Sequence, residues 1–333
     1  MVEIFEVGPC ENGYLMGFLI GQRFSNLIRT RVSKDIILQN QTRPFAQSFP
    51  ESEQFITKLS DKHRNKFPGK EILALISKTQ IDSNVVINVD TPEDDCCDVL
   101  VVNYSMAIAA HNEDGDFDVI GNTYLLICTL SNGLSFMAYS YPGELPTCAF
   151  GFNSYGVAFT LNAVAPMKDE IAADGIGRNF ISRGLLEATD IDDALLRIRS
   201  SEASVGHNYN LIDVKTWRIL NVETASRNRV SVRHIGATPF FHTNIYLHLH
   251  DQVQQDENSI CKEKRAAVLP KETKDDILSL LGDTSDAKYP IYREGPTVYT
   301  LCTAVNNLDE QTLTIIEGNP KKGQVSHVFC MSS

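Results

Sequence analysis

The stretch Asp94-Asp95-Cys96-Cys97-Asp98-Val99-Leu100-Val101-Val102-Asn103-Tyr104-Ser105-Met106-Ala107-Ile108-Ala109-Ala110 decides how this chain folds. Two short apolar runs, 98–102 and 106–110, flank a polar Asn-Tyr-Ser turn, which is the pattern of a buried β-hairpin. Downstream, strand-like runs recur at 123–129, 134–140, 147–151 and 156–162. The pattern then turns helical over 178–189, with Phe180, Ile181, Leu185 and Leu186 on one face. Asp190 can cap a second helix, where Asp192 and Asp193 favour the positive end ahead of Ala194-Leu195-Leu196. Strand signals resume at 209–214, 218–222, 229–235, 297–304, 312–316 and 324–329, and 251–282 is polar and partly helical. Strands, then helices, then strands again predict an α+β fold with two mainly antiparallel sheets and helices outside.

Upstream of the hairpin the sequence is polar and helix-like. Phe18-Leu19-Ile20 and Phe24, Leu27 and Ile28 fall at helical spacing, a second amphipathic segment is expected over 51–65, and Glu71–Ile76 is apolar. The acidic, proline-bearing stretch 91–95 reads as an exposed loop. Residues 1–95 are therefore expected to form a helical leader and residues 96–333 the main domain.

Composition removes several classes of function. The 333 residues carry a net charge of −12, a poor match to DNA, RNA or anionic lipid, so neither a nucleic acid nor a membrane is expected as partner. Eight cysteines without a single C-x-x-C pair argue against a disulfide scaffold and a thiolate zinc site. The acidic N-terminus lacks the pattern of a signal peptide, and the apolar runs are too short to span a bilayer. A cytoplasmic, reducing location with free thiols is expected.

The candidate chemistry lies at Cys96. A thiol at the junction of loop and strand can attack the preceding carbonyl in an N-to-S acyl shift, and hydrolysis would leave Cys96 as a new N-terminus. An α-amine of pKa about 7.7–8 could then act as base for a thiol of pKa about 8.5, placing nucleophile and base on one residue. The hairpin is followed by Ala109-Ala110-His111-Asn112-Glu113-Asp114-Gly115 and by Asn153-Ser154-Tyr155-Gly156-Val157-Ala158-Phe159-Thr160-Leu161-Asn162. Further on come Gly177–Ala188, His207-Asn208-Tyr209-Asn210-Leu211-Ile212-Asp213 with Val222-Glu223 behind, His242-Thr243-Asn244, Thr300–Thr303 and Gly318-Asn319-Pro320. In order and spacing these resemble the penicillin-acyltransferase-like branch of the N-terminal nucleophile hydrolases, the family of acyl-CoA:isopenicillin N acyltransferase and its cousins the choloylglycine hydrolases.

The resemblance implies a four-layer αββα sandwich and a cysteine enzyme that acts on an amide C–N bond or transfers an acyl group from acyl-CoA, without a cofactor. It implies that Cys96 is both the processing and the acyl-transfer nucleophile, and that Asp114 positions the freed α-amine. Asn162 would be an oxyanion donor and Asn208 a second one, with Asn210 as the register alternative. His111 occupies a substrate-binding position, and the two cleavage fragments would stay together as a heterodimer. This sequence departs from the pattern at several points. Asp95 stands where the family carries Gly before the scissile bond, and Cys97 stands beside Cys96, so a one-residue slip would make Cys97 the nucleophile. Lys262 appears where an arginine is expected, which leaves Arg265 as the nearby guanidinium for substrate. Residues 65–90 lack the family's Gly-rich acidic stretch. These departures favour a competing reading, an unprocessed binding or scaffold homologue.

Other signals are weaker. His242, His248 and His250 suggest H-x-H on a strand, but no further ligand has fitting spacing, so no metal is expected. Gly175-Ile176-Gly177-Arg178-Asn179 falls short of a dinucleotide fingerprint, and Asp114-Gly115-Asp116-Phe117-Asp118 lacks the calcium-loop register. Trp217 is expected to pack in a hairpin turn.

Overall fold

A computed structural model describes residues 2–34, 95–147, 149–164, 167, 170–172, 175–249 and 256–331. The helical segments expected over 51–65 and 71–76, and the loop up to Asp94, lie outside the described residues. Among those described, fourteen strands form two sheets. The larger runs β1(Glu3–Cys10), β4(Tyr124–Leu130), β5(Ser135–Ser140), β6(Phe150–Asn153), β7(Val157–Ala163), β8(His207–Asp213), β9(Arg218–Ala225) and β10(Arg229–His234), in that spatial order. The smaller runs β11(Phe240–His242), β2(Cys97–Val102), β3(Ala107–Asp116), β12(Val298–Asn307), β13(Thr312–Glu317) and β14(Gln324–Cys330). Every pairing is antiparallel except β1 with β4.

Three apolar layers hold the sheets and helices together. Helices α1(Gly13–Arg23), α3(Arg178–Leu185) and α4(Ile191–Arg199) set Met16, Ile20, Phe180, Ile181, Ala194 and Ile198 against Tyr124, Phe159, Leu211 and Leu220 of the large sheet. Helix α2(Ser25–Lys34) extends this layer through Leu27 and Ile28. On the far side, α5(Glu257–Val268) and α6(Lys274–Leu281) set Ala266, Ile277, Leu280 and Leu281 against Val99, Val101, Ile108 and Ala110 of the small sheet. Between the sheets, Leu100, Leu125, Met137, Phe150, Ile212 and Ile315 interlock. Because strand side chains alternate in direction, each inner strand feeds two of these layers at once. The result is the expected αββα sandwich, and no helix among the described residues is long and apolar enough to cross a membrane.

Most elements fall where the sequence puts them. The hairpin is β2–β3, and the Asp190 side chain caps α4 by accepting from Asp193 N at 2.7 Å. Two strands are missed. Glu3–Cys10 is not helical leader but the parallel edge strand of the large sheet, so the start of the chain is woven into the sandwich. Phe240–His242 is a three-residue strand, too short for periodicity to reveal. Trp217, at φ 59°, does sit in the β8–β9 turn, 43% exposed rather than packed.

Asn153 ties the β6–β7 turn to α3 and the residues after it. Its side-chain amide donates to Ala188 O at 2.7 Å and Leu186 O at 3.3 Å, while its oxygen accepts from Tyr155 N and Val157 N at 3.0 and 3.1 Å. The turn closes at Gly156, whose φ of +88° suits glycine. Replacing Asn153 by Ala leaves buried backbone groups without partners, and the expected loss is about 2–3 kcal/mol of unfolding free energy, measured by urea denaturation.

Candidate active site

The apolar filling between the sheets stops at one end and a buried polar cluster takes its place. From the small sheet, Asp98 on β2 and His111 and Glu113 on β3 point inward, with Cys96 just ahead of β2. From the large sheet, Thr160 and Asn162 on β7, Asn208 and Asn210 on β8, and Asn221 and Glu223 on β9 form a facing stripe. The sequence builds it by placing a polar residue at every second position of otherwise apolar strands.

The Cys96 sulfur lies within this cluster. Sγ is 3.6 Å from Glu113 Oε2 and receives the Asp114 backbone N–H at 3.4 Å. Glu113 also accepts from the Tyr141 hydroxyl, and its Oε2 is 2.9 Å from His111 Nε2. The other ring nitrogen of His111 is 3.0 Å from Asp98 Oδ1, which also accepts from Thr160 Oγ1 at 2.7 Å. Burial works against the His111 cation, but the charge and hydrogen bond of Asp98, joined by those of Glu113, push it up to about 10. His111 is thus an imidazolium donating from both nitrogens. The chain of contacts continues through Asn210 Nδ2 to Thr160 Oγ1 (2.9 Å) and Asn221 Nδ2 to Asn210 and Asn208 Oδ1 (2.6 and 2.8 Å).

The neighbouring residues face the other way. Cys97 is fully buried against the α5–α6 layer, and burial pushes its thiol well up. Asp95 and Asp114 meet Lys262, which with Asn258, Ser259 and Ala266 forms the buried stripe of α5. Lys262 Nζ donates to Asp95 Oδ1 and to the Asp95 carbonyl oxygen, both at 2.8 Å, and stands 3.6 Å from Asp114 Oδ2. Arg293 Nε lies 2.6 Å from Asp95 Oδ2, and Asn258 donates to Asp95 Oδ1. Burial pushes Asp114 up, Lys262 pulls it down and Asp95 pushes it up again, to about 7. Lys262 itself is raised, because Asp95 and Asp114 outweigh its burial.

Of the residues expected from sequence, Cys96, His111 and Asp114 come together around one thiol. Asn162 and Asn208 lie on the opposing sheet at the same polar end, in register with each other. Asn162 Nδ2 lies 3.4–3.5 Å from His242 Nδ1 and the carbonyls of His242 and Thr243. Asn210, the register alternative, shares the face of Asn208, and the two side chains are 3.5 Å apart. His111 does not lie open to a substrate, since it is fully buried with both nitrogens occupied. Arg265 is not brought to the thiol: it pairs with Asp283 at 2.9 and 3.2 Å, and the buried place belongs to Lys262. Glu113, Asp98, Thr160 and Arg293 were missed, although the first three lie on the two-residue rhythm that marks the site.

The histidine-strand reading is also revised. His242 alone is on β11, His248 lies in irregular chain, and His250 is outside the described residues. His242 Nε2 is 2.9 Å from Glu223 Oε1, and Glu223 also accepts the backbone N–H groups of Leu247, His248 and Leu249. Burial would raise Glu223, but His242 and these amides more than offset it and hold it at about 2. Among the described residues, the group with metal-ligand atoms in range of one another is Cys96, His111 and Glu113. A protonated His111, donating to Glu113, offers no lone pair, so this triad fits a hydrogen-bonded cluster better than a metal.

A two-sheet sandwich flanked by helices, with polar strand ends meeting between the sheets, defines the N-terminal nucleophile hydrolase fold. The sequence profile of the acyl-coenzyme A:6-aminopenicillanic acid acyl-transferase family matches residues 102–322, about two thirds of the chain, and the protein belongs to that family. The match starts six residues past Cys96. No curated protein matches the chain in sequence. Among solved structures, it is similar to the Caenorhabditis elegans ortholog of N-acylethanolamine-hydrolyzing acid amidase (14% identity, 71% of this chain and 99% of that one, TM-score 0.42). It is also similar to penicillin V acylase from Agrobacterium tumefaciens (11%, 67% and 83%, 0.37) and to a mutant of conjugated bile acid hydrolase from Clostridium perfringens (11%, 72% and 98%, 0.38).

The raised pKa of His111 has a definite sign in stability. A group held above its unfolded value of about 6.5 contributes fully below that pH, and the contribution disappears as pH rises through 10. Wild type should therefore exceed His111→Asn in unfolding free energy at pH 6, and the gap should narrow steadily by pH 10. Urea denaturation of both proteins across that range measures it.

Proposed function

We propose that this protein is a cysteine N-terminal nucleophile enzyme that cuts its own chain between Asp95 and Cys96. It then hydrolyses a linear amide, or passes an acyl group from acyl-CoA to an amine, through a thioester at Cys96. Membership of an amidohydrolase and acyltransferase superfamily supports the class. The observation that carries the reading is local: the Cys96 thiol stands against a carboxylate, and the carbonyl of the residue before it is already held by an ammonium group.

In the intact chain the nitrogen of Cys96 is an amide and cannot act as base. Glu113 takes the thiol proton, and Sγ bonds to the Asp95 carbonyl carbon. The negative charge forming on that oxygen meets Lys262 Nζ, a charge-assisted contact of the kind that stabilises such intermediates. The C–N bond then breaks, the nitrogen collects the proton, and a thioester between Asp95 and Cys96 remains. Water hydrolyses it to a free Asp95 carboxylate and a Cys96 thiol with its own α-amine. Thereafter the α-amine, positioned by Asp114, serves as base, and Asn162 and Asn208 are the oxyanion donors, each worth about 3–4 kcal/mol in such a role. The fragments 1–95 and 96–333 stay together because β1 belongs to the large sheet. The chemistry calls for no cofactor, and free thiols suit a cytoplasmic location.

The unprocessed scaffold reading has one observation in its favour, the buried ion network that anchors Asp95. Intact-mass measurement separates the two. Wild type should yield two fragments split at 95/96, Cys96→Ala one chain, and Cys97→Ala two again. Lys262→Met should slow cleavage at least tenfold, with Lys262→Arg restoring part of the rate. A wild-type chain that stays whole under all conditions sinks the enzyme reading.

A further inference from the structure

The Asp95 side chain occupies a site that has the makings of a substrate pocket. It is fully buried, and its carboxylate is shared by Lys262 Nζ at 2.8 Å, Arg293 Nε at 2.6 Å and the Asn258 amide. Lys262 is fully buried and the Arg293 side chain is 12% exposed. Neither cation sits on a loose tether. Lys262 projects from α5, while Arg293 is pinned to the start of β12 by reciprocal bonds with Thr300: its N–H donates to Thr300 Oγ1 and its carbonyl accepts Thr300 N–H, each at 2.9 Å.

We infer that the acyl group accepted by this enzyme carries its own carboxylate at the β position, as aspartyl and succinyl groups do, and that Lys262 and Arg293 bind it where the Asp95 side chain now lies. The inference rests on cleavage at 95/96. In that reaction the first acyl group on Cys96 Sγ is Asp95 itself, so the thioester formed by self-cleavage and the thioester formed from a substrate are the same kind of species at the same sulfur. What seats the first seats the second.

Charge drives the same conclusion. Once Asp95 leaves as a new C-terminus, two buried cations face Asp114 alone, and an uncompensated buried charge is costly. A substrate carboxylate restores the balance. Its amide carbon bonds to Sγ, its C–N bond breaks, and the amine leaves with the thiol proton carried over by the Cys96 α-amine. A neutral acyl chain of the same length would fill the space and leave Arg293 unpaired, so discrimination comes from the cost of the empty ion pair as well as from attraction.

The test uses wild-type protein whose cleavage has first been established by intact mass, with the succinyl and succinamoyl amides of 7-amino-4-methylcoumarin as probes. The expected result is kcat/KM at least tenfold higher for the succinyl amide, with the ratio falling close to one in Arg293→Met. In parallel, millimolar succinate should slow alkylation of Cys96 by iodoacetamide in wild type while succinamate does not. That second readout decides the matter where Arg293→Met fails to fold or neither amide turns over. A processed enzyme that treats the two amides alike, or a thiol that succinate leaves unprotected, overturns the inference. An unprocessed chain overturns the cleavage reading itself, and this one with it.

Discussion

An ammonium group cannot be left alone between packed layers, and the pairing of Lys262 with Asp95 and Asp114 governs how the heart of this molecule is arranged. Removing a charge from water costs several kcal/mol, recovered only when the partner is close and the remaining protons are satisfied. Lys262 meets both conditions, with two bonds of 2.8 Å to Asp95 and a second carboxylate at 3.6 Å. The consequence is positional. The loop that enters β2 is fastened to α5 by its last residue, so the peptide bond between Asp95 and Cys96 is held across the edge of the small sheet.

Strand alternation then sorts the residues on either side of that bond. Asp95, Cys97 and Asp114 face the helices, and Cys96, Asp98, His111 and Glu113 face the other sheet. Two electrostatic compartments result, separated by one layer of backbone. The helix-side compartment holds Lys262 and Arg293 against Asp95 and Asp114. The intersheet compartment holds a single imidazolium, His111, between two carboxylates. The peptide unit at 95/96 touches both, its carbonyl oxygen in the first and the following thiol in the second. A cation at the oxygen and a carboxylate at the sulfur are what an attack of that sulfur on that carbonyl calls for.

The sequence makes the sandwich legible because apolar strands with clear turns and a capped helix pair carry strong local signals. Glu3–Cys10 escapes because a parallel edge strand earns its place from a partner more than a hundred residues away, and β11 because three residues hold no period. For the site, motif order brings out Cys96, Asp114 and the asparagines. The same approach settles on Arg265 by its chemistry, whereas helical spacing in α5 puts 258, 259, 262 and 266 on one buried stripe and turns 265 toward Asp283. Lysine at 262 departs from the expected arginine, yet it reaches an oxygen with a compact charge, which a carbonyl accepts as readily as a fork. Glu113 is hidden by the short motif around it, where four polar residues in a row conceal that only alternate ones share a face.

The asymmetry of Asp95 is the most consequential departure. Glycine before a scissile bond leaves nothing behind in the surrounding protein, whereas a buried aspartate requires a built site: two cations and an amide, each fixed by its own secondary structure. Such a site is stable only while an anion fills it. In the intact chain that anion is covalently supplied, which favours the closed, fully paired state and opposes release of the leader. After cleavage the same electrostatics act in the opposite sense, since the vacated site lowers the free energy of any acyl group able to bring a carboxylate to the sulfur. One ion network thereby sets both the barrier to leader release and the identity of what can follow it.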